Sequence, residues 1–430
     1  MFSRFLRRAA FAAFVSSVTS AAAHAEDLRG HGGPVGALAV SESGSQVLSG
    51  SFDTRSILWS TQTAAAARIM RVHEGNVTAV AFLPEGRLAT GGQDGRLAIW
   101  AADDATVPEE IEPLHEAPVA MIAVSDDGAL LATGGWDGRI WLRRLDQAEG
   151  TGFDAHQGPV NGLGFLPEGR LASVGQDLRL RVWSASDAAS LANMVDLPSP
   201  PSSLAVTHTG LLAVTSADGV LRLVDPERGI VSEAALSERP VVTVTAAAQA
   251  PVVAAASVEG HVWILDAETL EVRHLLQPDQ GPVWSLGLDA GGRRLFTGGG
   301  DGLIRRWDAS TGAALGSGGA AGPQEEYDDA SRGAQVWRSC AACHTLASDD
   351  GNRAGPTLHG IFGRQIGTAE GYDYSQALLD MDIIWTPQTV SELFEHGPEA
   401  YTPGTRMPEQ RITSAEDRAA LMEFLERATQ

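Results

Sequence analysis

The chain contains no lysine in 430 residues; all 31 strongly basic side chains are arginine. It contains only two cysteines, Cys340 and Cys343. A C-x-x-C pair alone reads as a redox pair or as half of a zinc site, and no second pair exists to complete a zinc site. Positive charge is scarce: 54 acids give a formal charge of −23. That balance excludes nucleic-acid binding driven by counterion release. It predicts a soluble chain that repels acidic partners. Long apolar runs are missing after the first 25 residues, and the stretch Val252–Ala256 consists of small, strand-like residues.

The first 25 residues read as a secretory leader. Arg4, Arg7 and Arg8 form a charged start, Ala9 to Val18 a short apolar core, and Ala23-His24-Ala25 a small-x-small cleavage site. The remaining chain then begins at Glu26 and lacks a membrane span. An uncleaved anchor is the alternative, disfavoured because the apolar stretch is short for a spanning helix. The chain beyond the leader is too long for one ordinary domain.

Residues 26–316 are a repeat. Its anchors are Asp53, Asp94, Asp137, Asp177, Asp218, Glu259 and Asp301, spaced 40 to 43 residues apart. Six residues beyond each stands Trp59, Trp100, Arg143, Trp183, Val224, Leu265 or Trp307. His31, His73, His115 and His156 each precede a valine by four positions. A period near 40 residues with short strands and Asp-Gly turns predicts an all-β propeller, here of seven blades. Gly30-His31 and Gln93-Asp94-Gly95 through Ile99-Trp100 resemble WD40 repeats. That resemblance implies a buried chain of histidine, Ser/Thr, aspartate and tryptophan. Repeats one, two and four keep all four residues, while five and six have neither the histidine nor the terminal tryptophan. The histidines are therefore read as structural, and the ring is expected to bind no metal or organic cofactor. Either Glu26–Gly30 or Ala313–Ser317 could complete the last blade.

Residues 317–330, rich in glycine and then in acid, read as a flexible linker. Beyond it Cys340-Ala-Ala-Cys343-His344 has the spacing of a c-type haem attachment site, with His344 as proximal iron ligand. Met407, in Gly404-Thr-Arg-Met407-Pro408, supplies a distal thioether. Met381, Met422, His359 and His396 are the other candidate ligands. Covalent attachment at this motif takes place outside the bacterial cytoplasm, which fits the leader and predicts a periplasmic protein.

Residues 331–430 resemble class I cytochrome c, a small all-α fold, close to its mitochondrial branch. Gly333, Val336 and Trp337 resemble the first-helix residues that pack on the last helix, here Leu421 and Phe424. The stretch Gly355-Pro356 to Arg364 resembles the loop after the haem motif. The resemblance implies that the Pro356 carbonyl accepts from His344. It also implies that Arg364, Tyr374 and Trp385 face the haem propionates, with Thr405 near one of them. Leu393 stands where the family usually has a tyrosine beside the methionine sulfur. The family's ring of lysines is absent, and residues 323–430 carry 18 acids against 8 arginines.

Together these features predict a periplasmic electron carrier with one covalent haem c, not an enzyme. Its redox partner should be a basic or neutral protein, and WD40 rings usually bind a protein partner. The alternatives are an oxidoreductase subunit whose haem drains electrons from a second site, and a haem redox sensor on a WD40 scaffold.

Overall fold

Short aliphatic runs between Asp-Gly turns form strands, and the central strands are buried along nearly their whole length because both faces meet neighbouring sheets. The computed structural model describes residues 27–103, 107–147, 149–184, 190–277, 281–315, 331–337, 340–341, 344–346, 355–370, 372, 374, 376–403, 405, 407 and 411–429. The leader read at 1–25, the linker read at 317–330 and Cys343 lie outside the described residues.

Seven antiparallel sheets follow one another along the chain, six of four strands and one of three. In the first, β1 (Val35–Val40), β2 (Gln46–Ser51), β3 (Arg55–Ser60) and β4 (Ala65–Arg71) pair in chain order. Every sheet has a bulge where its innermost strand begins, as between Val35 and Ala37. A bulge increases local twist, which suits blades radiating from an axis. Each innermost strand touches the next, and β1 also touches Val283–Leu288 of the seventh blade, so the ring closes. Ser285 Oγ donates to the Val35 carbonyl at 2.8 Å across that junction. The architecture is a seven-bladed β-propeller.

Both segments that the sequence offered for the last blade contribute to it. Leu28 exchanges two backbone hydrogen bonds with Ile304, at 2.9 and 3.1 Å. Further along the same edge strand, Trp307 pairs with Ala314, and the Leu315 N–H donates to Arg306 at 2.8 Å.

The repeated histidines take the buried places expected of them. His31 bonds Asp53 through Nδ1 at 3.0 Å and Ser49 through Nε2 at 2.7 Å, and Trp59 Nε1 donates to the same hydroxyl at 2.7 Å. Equivalent chains run through His73, Asp94, Thr90 and Trp100, and through His156, Asp177, Ser173 and Trp183. The third blade keeps His115, Asp137 and Thr133, but its last position is Arg143. That buried guanidinium reaches back to Glu110 and Glu112 of the second blade at 2.7 and 3.0 Å. The fifth blade, without a histidine, holds Asp218 by Arg222 instead, at 2.7 Å. Gly95 shows why glycine follows the repeat aspartate. Its φ is +74°, and a Cβ there would sit 2.2 Å from the His115 carbonyl oxygen.

The C-terminal domain is helical. Its elements are α1 (Arg332–Trp337), α2 (Gln376–Leu379), α3 (Pro387–His396), α4 (Pro398–Tyr401) and α5 (Ala415–Ala428). Ser414 caps α5 by accepting from the Asp417 N–H, with Glu416 and Asp417 in the first turn. Where α1 crosses α5, a Cβ on Gly333 would lie 2.1 Å from the Ala420 carbonyl oxygen, so only glycine lets the helices approach this closely. Trp337 and Phe424 meet beside it with ring centroids 6.2 Å apart. Arg332 pairs with Glu416 and Asp417 over the same crossing. Arg418 ties α5 to α3 through Glu395 at 3.1 Å. No helix among the described residues is long and apolar enough to cross a membrane.

Candidate functional site: an apolar pocket in the helical domain

The end of α1 delivers the first cysteine. The N–H groups of Cys340 and Ala341 both bond the Trp337 carbonyl, and His344 N–H bonds the Cys340 carbonyl at 3.0 Å. This tight turn leaves Cys340 buried and puts its side chain and the His344 ring on one cavity wall. The cavity encloses about 1170 Å³, counting its open mouth. Leu358, Ile361, Phe394, Leu421 and Leu425 give it an apolar lining.

His344 is fixed by one of its nitrogens. Nδ1 lies 2.8 Å from the Pro356 carbonyl oxygen, which makes Nδ1 the protonated nitrogen of the neutral ring. A Cβ on Gly355 would meet the ring at 2.4 Å, so glycine is required for the loop to lie against it. Arg364 is half-buried and donates to the Thr357 and His359 carbonyls at 2.6 and 3.1 Å. Burial lowers its pKa, opposed by Tyr374; burial likewise raises that of the Tyr374 phenol. A short antiparallel link, with Trp385 N–H bonding Arg364 O at 2.9 Å and Gly363 N–H bonding Trp385 O at 2.8 Å, holds Trp385 beside them. The loop after α4 brings Thr405 and Met407 to the cavity; the Thr405 hydroxyl accepts from the Met407 N–H at 3.2 Å.

Cys340, His344, Pro356, Arg364, Tyr374, Trp385, Thr405 and Met407 thus line one cavity, and Cys343 lies outside the described residues. Leu393 lines it too, where a tyrosine would be usual in the resembling family. An imidazole and a thioether on the walls of an apolar pocket, with a thiol at its edge and cations and phenols among its lining, fit a haem bearing two acid groups.

The cytochrome c family profile matches residues 330–429. A cytochrome c of Cochliobolus lunatus is 42% identical over 105 residues, which cover 96% of that protein and 24% of this chain. The cytochrome c of Arabidopsis thaliana is 42% identical over 102 residues, 90% of its length and 24% of this chain, and that of Ginkgo biloba 37% over 102, 89% of its length and 24% of this chain. The helical domain belongs to the cytochrome c family. The WD domain, G-beta repeat profile matches residues 24–60, 66–101, 111–142, 148–184 and 271–308, so the ring is a WD40 propeller. The unmatched stretch is where repeats five and six lack histidine, yet it forms two four-stranded sheets. Continuous burial of the central strands builds those blades without the hydrogen-bonded chain.

Sequence reasoning missed two contributors to the cytochrome c pocket. Tyr372 lines it, and so does Arg55, which comes from β3 of the WD40 ring. Beside them Arg71, at the end of β4, donates to the Tyr372 hydroxyl at 3.0 Å, its guanidinium 5.1 Å from the ring centroid. Comparing repeats position by position gives the available signal. Arg71 occupies the place held by Asp154 and Asp196 in the third and fourth blades.

Proposed function

We propose that the chain is a periplasmic one-electron carrier that holds a single covalent haem c between His344 and Met407. The carrying observation is that Cys340, His344 and Met407 converge on one apolar cavity while the Pro356 carbonyl orients the histidine. A bound haem supplies reversible one-electron storage at its iron. This chain's own residues exclude water through Leu358, Ile361, Phe394 and Leu421, and hold the Nδ1 proton of His344 on Pro356. Arg364 and Tyr374 would meet the propionate acids of a bound haem, and Cys340 with Cys343 would anchor it. The apolar leader at the start of the chain supports export.

The WD40 ring is the platform for a protein partner. The excess of acid and the absence of lysine favour a redox partner that is basic or neutral. The test uses the exported protein. A denaturing gel stained for haem peroxidase should show the band, and one haem per chain should be measured. The weak red absorption of ferric iron bound to methionine should disappear in Met407→Ala. A colourless chain from a host that matures c-type haem overturns the proposal.

A further inference from the structure

We infer that the WD40 ring completes the wall of the haem cavity. Arg55 fills an opening in the cytochrome c domain, and the turn through Thr54 holds it there, so the ring limits the access of small ligands to the haem. The inference deepens the electron-carrier reading above and rests on it.

Every residue that lines the cavity, from Trp337 to Leu425, comes from the helical domain, except Arg55. A side chain from one domain can line the cavity of another only where that second domain leaves its own wall open. Burial agrees. Two residues after the repeat acid, the first four blades carry arginine: Arg55, Arg96, Arg139 and Arg179. Arg139 and Arg179 are exposed and Arg96 is partly buried, but Arg55 is only 3% exposed. The first blade is covered at a place that the next three leave open. The neighbouring contact shows what covers it. Arg71, directly opposite Arg55 on the paired strand, donates to the Tyr372 hydroxyl at 3.0 Å, its guanidinium 5.1 Å from the ring centroid. Tyr372 meets Tyr374 edge-on with centroids 4.8 Å apart, and both line the cavity.

The turn that delivers Arg55 is itself unusual. The residue after the repeat acid has a φ between +64° and +88° in all seven blades. Five blades place glycine there and the fourth places Leu178; Thr54, at +69°, is the one β-branched residue. A β-branched side chain is strained in this region, and such strain persists only where the surroundings over-determine it. Here both ends of the turn are tied. Thr54 N–H bonds the Ser51 carbonyl at 3.3 Å, and Arg55 N–H bonds the Asp53 carboxylate at 3.0 Å. That carboxylate also accepts from Gly32 N–H and bonds His31. Glycine would take the same turn without strain but would leave it freer. Threonine narrows the backbone choices and so fixes the direction in which Arg55 leaves the turn.

The test uses full-length, haem-loaded protein. The ferric form is titrated with imidazole, a small ligand that competes with Met407, and binding is followed in the visible spectrum and counted per haem. Arg55→Ala should raise the apparent affinity about tenfold, the change expected if the closed wall leaves a tenth of the molecules open to the ligand. Arg55→Met fills a similar volume without the charge and should stay within about twofold of wild type. If it binds like Arg55→Ala, the filling role is overturned. Thr54→Gly should raise the melting temperature of the ring by about 1–2 °C and also raise imidazole affinity. A higher melting temperature with wild-type affinity overturns the part given to Thr54. Arg71 is partly exposed, so Arg71→Ala, which frees Tyr372, decides the matter if Arg55→Ala fails to fold; its affinity should rise too. Haem-loaded variants that all bind imidazole as wild type does overturn this inference alone. A wild-type chain without haem overturns the electron-carrier reading and this inference together.

Discussion

Two kinds of histidine stand in this chain. In the ring, His31 has a carboxylate on one nitrogen and a hydroxyl on the other, and that hydroxyl in turn receives an indole N–H. In the helical domain, His344 has a backbone carbonyl on Nδ1 and lines an apolar cavity. The residue type is the same, and the difference lies in the surroundings: side-chain partners between strands for His31, a backbone carbonyl beside a cavity for His344. A histidine closed on both sides by protein groups holds strands together. A histidine oriented by a backbone carbonyl on the wall of a cavity suits the ligand role proposed for His344.

The sharpest way to break this contrast is to exchange the effects of the two residues. His344→Ala should abolish the low-spin haem spectrum and leave the melting of the ring within about 1 °C of wild type, read by far-ultraviolet circular dichroism of the strands. His31→Ala should do the reverse. It takes a hydrogen-bond partner from Asp53 and from Ser49 in the core, at a cost of roughly 3 kcal/mol in urea unfolding, with the visible spectrum intact. If His31→Ala bleaches the haem band, the two histidines are not separate in role.

Gly333→Ala sharpens the comparison from the other side. The new methyl must push α1 away from the Ala420 carbonyl, costing about 2 kcal/mol in the helical domain and nothing in the ring. Thermal unfolding followed at the haem band and at the strand signal separates the two. A loss in both signals would mean that the domains unfold as one unit.

The smallest expected effect is one of pH. Burial, opposed by Asp177 and reinforced by Arg181, lowers the pKa of His156 below its ordinary 6.5. The folded ring therefore prefers the neutral imidazole. That contribution to stability is full above pH 6.5 and fades as pH falls below it. Asp53 acts lower on the scale. Burial raises its pKa, but His31 and Arg55 more than offset this and hold it at about 2, so its contribution fades only as pH falls from 3.8 toward 2. Between about pH 6.5 and 4 the ring should lose a degree or two of melting temperature, and His156→Asn should flatten that slope. An unchanged slope in the variant assigns the loss to another group.

The sequence made the ring legible because a tight turn and a buried indole recur at fixed offset, and both are local demands. It made the pocket legible because cysteine, histidine and methionine are rare and their spacing is tied to one kind of chemistry. Degenerate blades five and six were readable only by their period, since Arg222 can replace a histidine as the partner of Asp218. The closure of the last blade was not readable, because two distant segments fit the same edge and both are used. Arg55 escaped because its significance depends on a contact between domains, which no pattern within a repeat encodes.

The pairing of Leu28 with Ile304 has a consequence for the order of events in assembly. The first strand partner to be synthesised must wait for one made some 276 positions later. Until then, the seventh sheet lacks part of its edge and the first blade has only one neighbour. Contacts of such long sequence separation form slowly. The helical domain depends mainly on contacts within a hundred residues, and its α1 and α5 can dock without reference to the ring. The ring is therefore the late step, and the period before its edges meet is when the chain most needs protection from pairing with another copy of itself.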